Sequence, residues 1–401
     1  MKYNIWNKWD PLKVVMLGDN WGPEFFQGIK DDRIRSPLQQ IAEETLEELA
    51  YFESVLKDFG CTVLRPVIDR NDRIENYVSE NGKINGGVPR TALQPRDSQI
   101  VSGNVLYSEF TDNPGIVQGL KQYGEVNPFL DQQDIQLILH NNPMDQDQFD
   151  RRAGADYPTY EYYLENRKDK NKFLDYVWEE LNSFVDLEGM PTSANSFLIG
   201  KDIYVDFKCP LPYRILEKIF PDIRINVLSH GHTHADACFH PIKPGAILSI
   251  TDFQNYEETF FNWDVCYLKG ESWDKVKGFI KLKKENLGAW WVPGAEDNPQ
   301  FSNFVNSWLD EWVGYVEESV FDVNVLVLDE HHVCVNNMEN PQLLEFLKKH
   351  KMEPIHIPWK HRYFWDGGLH CITLDLYREG VQQDYFPDRK QPIVQKELVN
   401  C

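Results

Sequence analysis

Nowhere in the 401 residues is there an uninterrupted apolar run of about eighteen residues, which excludes a membrane-spanning helix. The opening residues, Met1-Lys2-Tyr3-Asn4-Ile5-Trp6, lack the apolar core of a secretion signal, so the expected location is the cytosol. Positive charge is scarce as well: 41 Lys and Arg face 63 Asp and Glu, a formal net charge of −22. Nucleic acid and anionic membrane are therefore excluded as partners, because both need clustered cations, whereas a cationic small substrate is compatible. The seven cysteines (Cys61, Cys209, Cys238, Cys266, Cys334, Cys371, Cys401) are odd in number and show no CxxC spacing. That pattern points to reduced thiols and away from a disulfide framework or a structural zinc site. What the chain has in quantity is aromatics: 12 Trp, 18 Tyr and 23 Phe argue for a folded core. No low-complexity linker divides it, so one domain over 1–401 is expected, with insertions near 131–172 and 281–316.

Hydrophobic periodicity supplies the elements. Val14 to Gly18 reads as a buried strand. Ser36 as N-cap and Pro37 at the first helical position begin a helix whose apolar face is Leu38, Ile41, Thr45, Leu49, Phe52 and Leu56, stopped by Gly60. Cys61 to Leu64 follows as a strand, and 98–110 reads as a hairpin about Gly103-Asn104. A unit then recurs. Residues 196–205 form a hairpin, 213–220 a helix and 223–228 a strand; 323–335, 341–350 and 354–357 repeat that order. Repetition of strand–turn–strand–helix–strand implies modules about a pseudo-axis. The aromatic stretch 287–312, with Trp290 and Trp291, is expected to be helical and chiefly core, although it could also shape an entrance.

Three motifs carry chemistry. Leu93-Gln94-Pro95-Arg96-Asp97 stands ahead of a strand, His230-Gly231-His232-Thr233-His234-Ala235-Asp236-Ala237 stands after one, and Gly367-Gly368-Leu369-His370-Cys371 opens the alternating run Ile372, Leu374, Leu376. A thiol beside two glycines is how a fold presents a nucleophile, but free cysteine is also among the most buried residue types. HxHxD resembles half of a dinuclear metal motif, yet Ala237 stands where that motif needs histidine.

Taken together, HxD, PRD and HC in this order resemble the amidinotransferases, the family of L-arginine:glycine amidinotransferase within the pentein superfamily. The resemblance also runs through Trp9-Asp10-Pro11-Leu12, Gly200-Lys201-Asp202-Ile203, Pro244-Gly245 and Asn324 to Glu330. It implies an α/β fold, a pentein-type propeller of five pseudo-symmetric ββαβ modules. It implies transfer of the amidino group of L-arginine to an acceptor amine (glycine, lysine or a biosynthetic amine), releasing ornithine, with no metal and no cofactor. Cys371 would attack and His234 would move the proton. Asp97 and Asp236, with Arg96 and Asn195, would hold the substrate. Partners are small molecules; a homodimer is the default assembly.

One position departs from the family pattern. Thr192 stands where a carboxylate would orient His234; it could accept a hydrogen bond from imidazole but not stabilise imidazolium. Glu188 or Asp206 are the acids nearby that could substitute. Two alternatives stay open: a guanidine-modifying hydrolase of the same superfamily, in which water takes the place of the acceptor amine, and a non-catalytic guanidino-ligand binder, which the Thr192 departure keeps alive.

Overall fold

The computed structural model describes residues 2–84, 87–108, 113–129, 161, 164–165, 192–205, 210–228, 234–250, 256–268, 298–309, 312, 322–365 and 367–394. Most of the two expected insertions, with Trp290 and Trp291, lies outside them, as do His232, Glu188 and Asp206.

Strand β1 (Leu12–Leu17) leads through a short 3-10 turn to the long helix α1 (Asp32–Asp58). The expected apolar face is the buried one. The start is a correction: Asp31 is the N-cap, its carboxylate accepting from Arg33 N–H, and Pro37 lies inside the helix. A Ser-Pro pair looks like a helix start, but Asp31-Asp32 offers an acidic start five residues earlier, and a proline this close to the N-terminus removes only one internal bond. Gly60, at φ 93°, ends the helix in the left-handed region. Strand β2 (Thr62–Leu64) then pairs parallel with β1.

A small hairpin of β3 (Val78–Ser79) and β4 (Gly82–Lys83) precedes the second module, built from β5 (Gln99–Ser102), β6 (Val105–Ser108), α2 (Pro114–Tyr123) and β7 (Asn127–Pro128). The third has β8 (Ser196–Ile199), β9 (Asp202–Val205), α3 (Pro210–Ile219) and β10 (Arg224–Val227). The fourth, which periodicity did not single out, has β11 (Phe239–Lys243), β12 (Ala246–Ser249), the one-turn helix α4 (Tyr256–Thr259) and β13 (Asp264–Tyr267). After α5 (Pro299–Trp308) comes the fifth: β14 (Leu326–Val327), β15 (His332–Val335), α6 (Pro341–Lys349) and β16 (Glu353–His356). A short helix α7 (Arg362–Trp365) leads to β17 (Thr373–Arg378), which pairs antiparallel with β1. The last strand thus completes the first module.

Each of the five three-stranded sheets has one antiparallel and one parallel pairing in the same order, β17-β1-β2 included. This is the repeated ββαβ unit of a pentein-type α/β fold. The stretch around α5 is core where it is described: Phe301 and Val305 are buried, and Trp312 stacks on Trp21 at 5.6 Å and on Trp365 at 5.7 Å.

Candidate active site

The five leading strands β5, β8, β11, β14 and β17 are each preceded by a short segment, and these segments hold the chemistry. Asp97 stands two residues before β5, Asn324 two before β14 and Cys371 two before β17; Thr192 to Asn195 abut β8, and Asp236 stands three before β11. Hydrogen bonds join them in succession. Ser193 N–H donates to the Gln99 carbonyl (2.7 Å) and Asp236 N–H to the Ala194 carbonyl (3.2 Å). Asn324 Nδ2 donates to the Asp236 carbonyl (3.2 Å), and His370 N–H donates to Asn324 Oδ1 (2.9 Å). Arg96 Nε donates to the His370 carbonyl (2.8 Å), which returns the circuit to the second module. Buried main-chain groups at module starts need partners, and here each module satisfies the next.

Cys371 is 4% exposed at the centre of this circuit. Its Sγ lies 3.6 Å from Asp236 Oδ2 and accepts from Asn324 Nδ2 at 3.0 Å. The two glycines serve closeness. A Cβ on Gly367 would come within 3.1 Å of the Cys371 Cβ, and one on Gly368 within 2.6 Å of Asn324 Oδ1. Burial pushes the Cys371 thiol well above its ordinary value, and the carboxylates of Asp236 and Asp97 add to this, against the bonds from Gly368 and Asn324. The ligand-free site therefore holds a thiol, and a cation placed between the carboxylates would ionise it.

Asp97 is divided between two sides. Its Oδ2 accepts from the half-exposed Arg90 at 2.7 Å, while Oδ1 is buried and makes no hydrogen bond among the described residues. Asp236 is 0% exposed, and its Oδ2 takes the Nδ1–H of His370 at 2.7 Å. Burial, with Arg96, His240 and Lys8 nearby, holds His370 well below the usual histidine value, so it is a neutral imidazole with its proton on Nδ1. His370 stacks on Phe197 at 5.9 Å and meets His240 edge-on at 4.6 Å. His234 is half-buried and caps the 3-10 turn that carries Asp236. Asn195 is buried beside Ala194, the carbonyl of which holds Asp236.

Two sequence expectations need correction. Arg96 does not reach toward a substrate: it is wholly buried, its Nη2 3.0 Å from Asp375 Oδ1, and it clamps the cysteine segment from behind. A guanidinium that satisfies a buried carboxylate and a buried carbonyl is fixed in the interior. Thr192 is likewise buried, but its Oγ1 makes no hydrogen bond among the described residues, so no bond to imidazole is formed. Only its carbonyl is engaged, by Ser196 Oγ at 2.6 Å. Sequence reasoning gave no role to His370, Asn324 and the buried group Lys8, Asp375 and Arg378. Asn324 could have been found from its place before β14, the same as that of Cys371 before β17. No group of three or more metal-ligating side chains is found among the described residues.

No family model matches the chain. It is 24% identical over 408 residues to the mitochondrial glycine amidinotransferase of Xenopus tropicalis, covering 95% of this chain and 84% of that protein. Against the L-arginine:L-lysine amidinotransferase of Pseudomonas savastanoi pv. phaseolicola it is 24% identical over 169 residues, 41% of this chain and 37% of that one. Among solved structures, SxtG, an amidinotransferase from Microseira wollei in the saxitoxin biosynthetic pathway, superposes with a TM-score of 0.59 at 19% identity, covering 96% of this chain and all of that one. The inosamine-phosphate amidinotransferase StrB1 from Streptomyces griseus gives 0.55 at 16% identity, over 96% and 99%. The chain therefore has the fold of these transferases, and its sequence resembles the glycine amidinotransferases over nearly its whole length.

Proposed function

We propose that the protein is an amidinotransferase that takes the amidino group of L-arginine onto Cys371 and passes it to an acceptor amine. The observation that carries this reading is the thiol of Cys371 set 3.6 Å from the Asp236 carboxylate, with the charge of Asp97 acting on the same sulfur. Two carboxylates converging on a buried thiol suit a planar cation of five N–H donors, and they aim its central carbon at sulfur. The sequence similarity to glycine amidinotransferases along 95% of the chain supports transfer.

In the first half-reaction the thiolate forms a C–S bond to the guanidinium carbon. The proton lost by the Cys371 thiol passes to His234, which delivers it to Nε as the bond from that carbon to Nε breaks, and Nε leaves as the δ-amino group of ornithine. In the second, the acceptor amine forms a C–N bond to the S-bound amidino carbon and gives His234 its proton. The C–S bond breaks and the thiolate returns. Burial is the main cause that raises the Cys371 thiol and remains in the complex, but a bound guanidinium offsets the two carboxylates that add to it and so favours the thiolate. Glycine, lysine or a biosynthetic amine are the acceptors in view, and the cytosol is the proposed location; no helix of the described residues is long and apolar enough to cross a membrane.

Intact-mass analysis after incubation with arginine tests the reading. One amidino adduct is expected in the wild type and none in Cys371→Ala, with ornithine released. Citrulline without ornithine would instead mean hydrolysis. An unmodified protein that still binds arginine would mean a guanidino-ligand binder, the reading that the unpartnered Thr192 hydroxyl favours.

A further inference from the structure

Four of the five module-leading segments hold residues that the sequence motifs single out; the segment before β14 holds none, yet its Asn324 reaches the sulfur. Its Asn324 is 1% exposed and uses its carboxamide completely. Oδ1 accepts two main-chain N–H groups, from His370 at 2.9 Å and from Cys371 at 3.1 Å. That pair fixes which end of the amide is oxygen, since an NH₂ there would face donors. The Nδ2 hydrogens consequently point the other way, one to the Asp236 carbonyl (3.2 Å) and one to Cys371 Sγ (3.0 Å). Gly368 permits the approach, because a Cβ there would meet Asn324 Oδ1 at 2.6 Å and its Cβ at 2.7 Å.

We propose that Asn324 is a catalytic residue, the donor that stabilises the Cys371 thiolate while tying it to the backbone of the guanidinium anchor Asp236. The proposal rests on Cys371 being the nucleophile of the reaction proposed above. A thiolate accepts more strongly than a thiol, so an N–H already aimed at sulfur favours the charged form. Against two neighbouring carboxylates, Asn324 is the one neutral side chain among the described residues with a hydrogen bond to Sγ. Its second N–H holds Asp236 at a fixed distance from the sulfur, so nucleophile and anchor move together.

The test needs no substrate. Alkylation of Cys371 by iodoacetamide at fixed pH, located by peptide mapping in the ligand-free full chain, reads the thiolate fraction directly. Asn324→Asp keeps the shape and the acceptor but has no N–H, and Asn324→Ala has neither. Both are expected to slow alkylation by roughly tenfold to a hundredfold, the range for a hydrogen bond to a charged group. A merely structural asparagine would act oppositely, because loosening the segment exposes the thiol and speeds alkylation. An unchanged or faster rate in a folded variant overturns the proposal. Should neither variant fold, the wild-type chain labelled with ¹⁵N-asparagine decides. The Asn324 carboxamide signal is expected to move as pH rises through the onset of alkylation and to stay still in Cys371→Ser; a still signal in the wild type overturns the proposal. Slowed alkylation without any arginine adduct would leave the role of Asn324 standing and refute amidino transfer.

Discussion

The two sides of the Cys371 segment are electrostatic opposites. In front, burial raises the Cys371 thiol, and the carboxylates of Asp236 and Asp97 add to it. Behind, Lys8, Arg96 and Arg378 surround a single acid, Asp375, at 3.5, 3.0 and 3.0 Å. Burial alone would raise Asp375, but these three cations outweigh it and hold its carboxyl well below the usual range. The rear is a closed group in which three cations share one buried carboxylate. The front is left with an excess of negative charge. That difference is what separates a structural ion cluster from a binding site, because only the front gains when a cation arrives. His370 lies between the two, giving its Nδ1–H to the front and kept neutral by burial, with the rear cations adding to it.

Breaking the rear has the largest expected effect. Arg96→Leu strips Asp375 of one buried cation and the His370 carbonyl of its donor. Removing one partner of a buried pair typically costs about 3–5 kcal/mol, and chemical denaturation should show a loss of that order. A loss well under about 1 kcal/mol would mean that Lys8 and Arg378 already satisfy Asp375 alone.

Breaking the front should leave the fold and change two properties in opposite senses. Asp236→Asn keeps the shape but removes one anchoring charge. Arginine affinity is expected to fall roughly thirtyfold or more by calorimetry, as for a truncated buried charge pair. Meanwhile the thiol, relieved of one carboxylate, should become more acidic, and alkylation of Cys371 faster at fixed pH. Weaker binding with a slower thiol would contradict this division of roles.

Lys8 sharpens the comparison by a pH dependence. Burial lowers its pKa, against the pull of Asp375, to about 7, while the unfolded chain holds the proton up to the ordinary 10.5. Between these values the unfolded state binds more protons, so wild-type stability should rise as pH rises from 7 toward 10. Lys8→Met removes that contribution. The stability difference between variant and wild type should therefore favour the variant most near pH 7 and shrink by a few kcal/mol toward pH 10. A constant difference would show that Lys8 does not titrate in this range.

Much of this arrangement was legible in the sequence, and the part that was not has a common physical cause. Cys371, Asp97 and Asp236 announce themselves through local motifs, and α1 through its period, although its first residues were misplaced because Asp31-Asp32 competes with Ser36-Pro37 as a start. The fourth module escaped because α4 is one turn long and offers no helical period. The rear cluster joins Lys8 and Arg96 to Asp375, which lies hundreds of positions further along the chain, and nothing local distinguishes a buried Arg96 from one that binds substrate. The five-fold repeat is the signal that could have helped. Two residues before a leading strand is a position that faces the Cys371 sulfur or holds it in three modules, at Asp97, Asn324 and Cys371.

Thr192 gives the smallest expected effect, and it bears on the one part of the front that the geometry leaves without an acid. Its hydroxyl is buried and makes no hydrogen bond among the described residues, while its carbonyl holds Ser196. An unsatisfied buried hydroxyl is a liability, so Thr192→Val, which keeps the branched shape, should change stability by less than about 1 kcal/mol and is as apt to raise it as to lower it. Transfer activity should stay within about twofold, since a group that makes no bond cannot set the tautomer of His234. The Michaelis complex is where this would break. If arginine draws His234 onto Thr192 Oγ1, the valine variant would bind arginine normally yet lose turnover, with kcat falling and KM unmoved. Such a split would make the hydroxyl a catalytic orienter assembled only with substrate, and the front would then owe its proton transfer to a neutral group at a position where the family resemblance implies a carboxylate.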